Sequence, residues 1–276
     1  MIPTELSPPP PATVTCDAPG SWLQFRTSAG FERTRMALPI ADLPPDLVNF
    51  RILHLTDLHV RKRWDPAYDA LISQVEHDKP DLIVFTGDFV ENRFSHRPGL
   101  GNVLRLFEKL NARLGVIGIL GNHDGDLLAP ALARFKHLTM IDHRRLLLTS
   151  GDASLELIGL AGVDRRDLDK RWMRSLGTKP PGSVRIVLSH YPDSILLSQY
   201  LQPDLFLAGH THGGQICLPG RTPIFRHDSL QREYCHGVHR AFGTWMVVNR
   251  GFGFSSMLPL RLFCPAEMIE IRLVRA

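Results

Sequence analysis

Five short apolar runs in this 276-residue chain each lead straight into Asp, Asn or His, and that recurrence constrains the fold more than any other feature. RILHLT (51–56) runs into Asp57-Leu58-His59, DLIVFT (81–86) into Gly87-Asp88, and GVIGIL (115–120) into Gly121-Asn122-His123-Asp124. VRIVLSH (184–190) ends on His190, and DLFLAGH (204–210) opens His210-Thr211-His212. Runs this short and this apolar predict strands buried on both faces. Between the early ones, residues 66–77 place Ala67, Leu71, Ile72 and Val75 at helical spacing, and 100–112 do so with Val103, Leu104, Phe107 and Leu110. Strand, helix and strand in succession make parallel pairs whose C-terminal ends share one sheet edge, so the polar loops are expected to converge there.

The remaining chain changes character. Residues 140–149 and 153–162 read as strands, 166–175 as a short helix, and 244–251 and 267–274 as alternating strands. From 215 onward short strands are broken by some of the 22 Gly and 21 Pro. The expected fold class is α/β (α+β, four-layer): two packed mixed β-sheets flanked by helices, as one domain over 21–276. A Pro-rich tail, disordered or extended, is expected over 1–20, with Pro8 to Pro11 consecutive.

Charge and cysteine usage narrow the surroundings. The net charge of +4 comes mainly from arginine, yet no basic run exceeds Arg61-Lys62-Arg63, so no nucleic-acid partner is expected and an anionic small substrate fits. Cys16, Cys217, Cys235 and Cys264 show no C-x-x-C spacing and read as free thiols in a reducing compartment. With neither a leader pattern nor an apolar stretch near twenty residues, the chain is expected in the cytoplasm, with peripheral contact at the inner membrane left open. The oligomeric state stays open too.

Asp57, His59, Asp88, Asn122, His190, His210 and His212 are natural donors to a borderline divalent cation. Asp57 and His59 lie two apart and face the same way if strand geometry persists, and His210 and His212 repeat that spacing. Seven donors exceed one ion and suit two sharing a carboxylate, with a bridging hydroxide as nucleophile and phosphorus as its natural electrophile.

The five motifs, in this order, resemble those of the calcineurin-like metallophosphoesterases, whose metallo-dependent phosphatase-like sandwich matches the expected fold. The strings GHTHGGQICLPG (209–220) and VNRGFGFSSMLPLRLFCPAE (248–267) further resemble a bacterial branch that includes membrane-associated phosphodiesterases and UDP-diacylglucosamine hydrolases. The resemblance implies Asp57, His59, Asp88 and His212 around one metal, and Asp88, Asn122, His190 and His210 around the other, with Asp88 as the bridge. It implies His123 as the residue that contacts phosphate and protonates the leaving oxygen, oriented by Asp124. Two ions of Mn, Fe or Zn are implied, Mn favoured. Glu91 stands where many members of the branch have Asp, which touches only local packing.

A phosphodiester is the first expected substrate. The alternatives are UDP-2,3-diacylglucosamine, split as a pyrophosphate to UMP and lipid X, and a non-catalytic metal-binding scaffold. His137, His143, His227, His236 and His239 read as structural. Arg61, Lys62 and Arg63 form either a solvated surface or a positive rim for an anionic substrate. Phe252, Phe254, Met257, Leu258, Leu260, Leu262 and Phe263 are expected to close the second sheet, with an apolar patch at a bilayer as the other reading.

Overall fold

The computed structural model describes residues 12–91, 95–132, 135–161, 166–226, 228–255 and 259–276. Pro8 to Pro11, His227, Met257 and Leu258 lie outside them. In chain order the elements are β1 (Thr13–Ala18), β2 (Leu23–Phe25), β3 (Glu32–Ile40), β4 (Arg51–Leu55), α1 (Ala67–Asp78), β5 (Leu82–Thr86), α2 (Arg97–Phe107), β6 (Val116–Ile119) and α3 (Gly125–Leu132). They continue with β7 (Thr139–Met140), β8 (Arg144–Ser150), β9 (Ala153–Gly159), α4 (Arg166–Ser175), β10 (Ser183–Leu188), α5 (Ile195–Ser198), β11 (Leu205–Ala208), β12 (Cys217–Leu218) and β13 (Thr222–Pro223). The last four are β14 (Gly237–Ala241), β15 (Thr244–Val248), β16 (Leu260–Leu262) and β17 (Glu267–Arg275).

Two mixed sheets carry the fold: seven strands in the order β1-β3-β17-β4-β5-β6-β7, and six in the order β14-β15-β11-β10-β9-β8. Alternation along each strand explains the layering. Ile52, Val84 and Ile117 of the first sheet meet Leu155, Ile186, Leu207 and Trp245 of the second in the central core. Their neighbours Leu53, Leu55, Ile83 and Phe85 point the other way, onto Leu71, Val75, Val103 and Phe107 of α1 and α2. On the far side Val187, Phe206 and Met246 pack against Met173 of α4 and Ile195 of α5. The result is helix, sheet, sheet, helix, with each buried Leu, Ile or Phe contributing about 1.5–3 kcal/mol. The C-terminal loops of the parallel strands β4, β5 and β6 and of the parallel strands β10 and β11 carry the candidate donors.

Four expectations change. Part of the expected tail is structured: Thr13–Ala18 pairs antiparallel with β3, because the edge of that strand offers unpaired backbone groups. The single strand expected over 140–149 is two strands in different sheets, separated at His143, whose φ of 49° breaks the extension. The second helix begins at Arg97, ahead of the expected position 100. Finally, Phe252 does not close the second sheet; it enters the layer outside the first, 5.0 Å from the Phe31 ring and 5.8 Å from that of Tyr68.

Candidate metal centre

Each expected donor sits just past a strand end. The loops after β4 and β5 run side by side, with Asp57 N donating to the Gly87 carbonyl (2.9 Å) and His59 N to the Asp88 carbonyl (3.0 Å). Strand geometry does not persist through them. Asp57, His59, Asp88, His210 and His212 take φ of 50°, 44°, 55°, 69° and 50°, a left-handed conformation that costs a non-glycine residue about 1–3 kcal/mol. Asp57 and His59 still reach one cluster, through turns and not through an extended i, i+2 spacing.

Asp57, His59 and His212 offer ligand atoms all within 4.8 Å of one another, as do Asp57, Asp88 and His190. The Nε2 atoms of His59 and His212 lie 3.1 Å apart. Asp88 stands between the two sides: its Oδ2 is 3.5 Å from Nε2 of His59 and 3.4 Å from Nε2 of His190, while Oδ1 accepts the His123 amide at 2.8 Å. Asn122 Oδ1 and His210 Nδ1 approach His190 Nε2 at 3.0 and 3.3 Å.

Two observations test whether these residues suit a cation. Asp57 Oδ2 accepts from Thr56 Oγ1 (2.7 Å) and His210 N (2.9 Å), but Oδ1 is buried without a hydrogen-bond partner, 3.4 Å from His212 Nε2. His190 donates Nδ1–H to the Thr86 carbonyl at 2.7 Å, which leaves Nε2 turned toward the carboxylate side, the arrangement that orients a ligating imidazole. The residues therefore fit divalent cations.

Electrostatics agrees. Burial, with Asp88 nearby, pushes the Asp57 carboxyl up to about 6. Burial takes the His59 imidazole down to about 3 and His212 well below its ordinary value. Burial acts upward on Asp88 as well, but the His190 and His59 charges outweigh it and hold that carboxyl below the usual range. Burial opposes charge on His190, yet Asp88 raises it to about 10. A proton on His190 and a cation thus compete for the same carboxylate charge.

The remaining two expected residues divide differently. His123 Nδ1 donates to the Glu91 carbonyl at 2.9 Å, so Glu91, and not Asp124, orients this ring. Asp124 is buried and accepts four backbone N–H groups: Asp88 (2.8 Å) and Gly121 (2.7 Å) on Oδ2, Phe89 (2.7 Å) and Val90 (3.3 Å) on Oδ1. It ties the second and third loops together.

Two contributors go beyond the sequence reading, which gave Glu91 a part in local packing only and left Arg261 without a role. The Glu91 carboxylate lies 3.5 Å from His59 Nδ1, behind the face turned to the cluster. Arg261 is fully buried, and its guanidinium donates to the carbonyls of Arg250 (2.8 Å), Gly251 (3.1 Å) and His212 (3.3 Å). A lone arginine inside the apolar string PLRLF was the available signal, because a charge placed among core residues needs fixed acceptors.

Overlapping carboxylate and imidazole clusters at the strand ends of a two-sheet sandwich define the class: a metal-dependent phosphoesterase. The sequence pattern of the calcineurin-like phosphoesterases matches residues 50–214, and the chain belongs to that family. It is similar to the uncharacterized metallophosphoesterase YkuE of Bacillus subtilis, 31% identical over 245 residues that cover 86% of this chain and 83% of the relative. Phosphodiesterase YaeI of Escherichia coli is 28% identical over 276 residues, covering 95% and 96%. Among solved structures, a dimetal phosphatase from Danio rerio aligns with a TM-score of 0.47 and 12% identity, over 74% of this chain and 88% of that one.

Proposed function

We propose that the chain hydrolyses phosphodiesters with two divalent ions, manganese favoured, one held by Asp57, His59, Asp88 and His212 and the other by Asp88, Asn122, His190 and His210. The observation that carries this reading is the buried, partnerless Asp57 Oδ1 facing paired imidazoles, with Asp88 between His59 and His190. Bound there, the ions would neutralise charge on phosphoryl oxygens and lower the pKa of water to give a nucleophile near neutral pH.

The chain's own groups do the rest. His123, its Nδ1–H spent on the Glu91 carbonyl, keeps Nε2 for the substrate, and in its protonated form gives a proton to the departing alkoxide oxygen. Thr86 fixes the tautomer and plane of His190. Asp124 anchors the loop that carries Asp88 in its left-handed turn, so the carboxylate is placed before substrate arrives.

A lipid-linked pyrophosphate such as UDP-2,3-diacylglucosamine is the second reading, with the chain lying peripherally on the inner membrane. It is favoured by an outward apolar face. Trp22 and Phe25 are 61% and 58% exposed, Leu260 and Leu262 sit opposite Phe25 and Leu23 in the β2–β16 pair, and Ile216 bridges to Leu262. Among the described residues no helix is long and apolar enough to cross a membrane.

The test is turnover of bis(p-nitrophenyl) phosphate by metal-stripped protein titrated with manganese, zinc or ferrous ion. Activity should return with metal and fall about a hundred- to a thousandfold in Asp88→Asn, the loss expected when a charge-stabilising group is removed. An undiminished Asp88→Asn rate refutes the assignment, and metal uptake without turnover of any phosphoester supports the scaffold reading instead. Release of UMP from UDP-diacylglucosamine, at a rate exceeding diester turnover, would favour the second reading.

A further inference from the structure

A cavity of about 330 Å³ opens beside His59, with Arg26, Arg61, Arg63, Trp64, Tyr68 and Phe254 on its walls. That is the lower end of the usual ligand-pocket range of about 300–1,000 Å³, enough for a small head group. Among the described residues three guanidiniums share the lining with one acid, Asp65. The Asp65 carboxylate is already engaged: it accepts from Thr27 Oγ1 (2.7 Å) and Ala67 N (3.0 Å) on one oxygen and from Ser28 N (2.8 Å) on the other. Arg61 lies 3.4 Å from Glu91. Among the described residues neither Arg26 nor Arg63 pairs with a carboxylate, and the Arg26 guanidinium lies 5.2 Å from the centre of the Phe25 ring.

The apolar walls are equally committed. Tyr68 is buried and donates its hydroxyl to the Leu58 carbonyl (3.2 Å), and the Trp64 indole N–H goes to Asp69 (2.9 Å) while Arg105 covers one indole face at 4.0 Å. Arg26 is held at φ 58° at the end of β2, its amide donating to the Pro259 carbonyl at 2.9 Å. A residue constrained in this way projects its side chain from a fixed turn. Guanidinium tips and ring surface are what the cavity has left to offer.

We infer that this cavity is a recognition subsite for a second anionic group, a carboxylate or phosphate, on one of the two alcohols of the diester. The inference rests on the hydrolytic reading of the adjoining cluster and names its substrate class. Cationic walls contiguous with His59 bind the remote anion while the phosphodiester lies at the metal ligands, so binding energy gained away from phosphorus orients the reacting bond. Guanidinium matches the planar geometry of carboxylate and the tetrahedral face of phosphate, which a lysine does not.

Two measurements test it. The first compares kcat/KM of the manganese-loaded protein on p-nitrophenyl 2-carboxyethyl phosphate and on p-nitrophenyl propyl phosphate, which lacks the carboxylate. The carboxylate-bearing diester should be preferred about tenfold or more. That ratio should fall toward one in the Arg26→Gln, Arg63→Gln double variant. A ratio near one in the unmodified protein, or an unchanged ratio in the double variant, overturns the subsite.

The second measurement needs no turnover. Metal-free Asp88→Asn protein is titrated with glycerol 3-phosphate and Trp64 fluorescence is followed as the difference from the same protein carrying Trp64→Phe. A saturable, salt-sensitive change that disappears with Arg26→Gln and Arg63→Gln supports the subsite, and its absence in the parent overturns it. If neither diester is cleaved, the hydrolytic reading falls and the titration alone decides the subsite.

Discussion

Replacing Asp124 by Asn should cost more stability than its near-identical shape suggests. The carboxylate takes two backbone donors on each oxygen: Asp88 N and Gly121 N on Oδ2, Phe89 N and Val90 N on Oδ1. An amide in the same place keeps one oxygen, so whichever way it flips, two donors lose their acceptor and face an NH₂ group. Hydrogen bonds to a charged acceptor contribute about 1.5–3 kcal/mol each. The expected loss is therefore about 3–6 kcal/mol, a large share of the roughly 5–15 kcal/mol that holds a domain folded. Burial, with the Asp88 charge, pushes the Asp124 carboxyl up while the Gly121 and Val90 amides oppose it.

Urea unfolding of metal-free protein measures the difference directly. At a slope of about 2 kcal/mol per molar urea, the midpoint should fall by about 1.5–3 M without a change of slope. Manganese affinity should fall in the same variant, because the loop that turns Asp88 to φ 55° loses its anchor. A loss below about 1 kcal/mol would mean that water or a shifted backbone satisfies the freed donors, and the anchoring role would be abandoned.

Other outcomes follow from the same geometry. In Gly209→Ala the new methyl falls onto Thr56 Oγ1 and Asp57 Oδ2; metal affinity and turnover should drop at least about tenfold, checked by manganese titration, and a normal titration would contradict the close approach. His54 is buried, and burial takes its imidazole down to about 3 despite the nearby Glu267. The unfolded chain binds that proton near pH 6.5 while the native state resists it, so stability is present above pH 6.5 and is lost as pH falls toward 3. His54→Gln should flatten urea-derived stability against pH by about 1.4 kcal/mol per unit between pH 6 and 4.5; an unchanged slope would remove His54 as the source. Trp22→Ala with Phe25→Ala should reduce co-flotation with phosphatidylglycerol vesicles if the outward apolar face meets a bilayer. Equal flotation before and after would exclude that face.

Much of the site was legible because its information is local. A strand of four to six apolar residues followed by a glycine or a polar donor announces a sheet edge; parallel pairing sets Asp57, Asp88 and Asn122 along one sheet's edge and His190 and His210 along the other's, and packing of the two sheets brings the edges together. The helical spacing over α1 was equally local. What escaped depends on partners far along the chain. The break at His143, which sends β7 and β8 to different sheets, and the capture of Thr13–Ala18 by β3 are set by backbone hydrogen bonds between distant segments. So is the role of Asp124, whose acceptors were assigned by which loops arrived within reach.

The sequence by itself determined the alternation of strand and helix through the parallel strands and the chemical types of the donors, because hydrophobic period and side-chain chemistry are properties of neighbours along the chain. Only the tertiary structure decided that Asp57 and His59 reach the cluster through left-handed turns, that Glu91 and Asp124 divide the orienting work, and that Arg26 from one end of the chain shares a cavity with Arg63 and His59. Those relations are distances between remote residues, and they take values only when the two sheets pack.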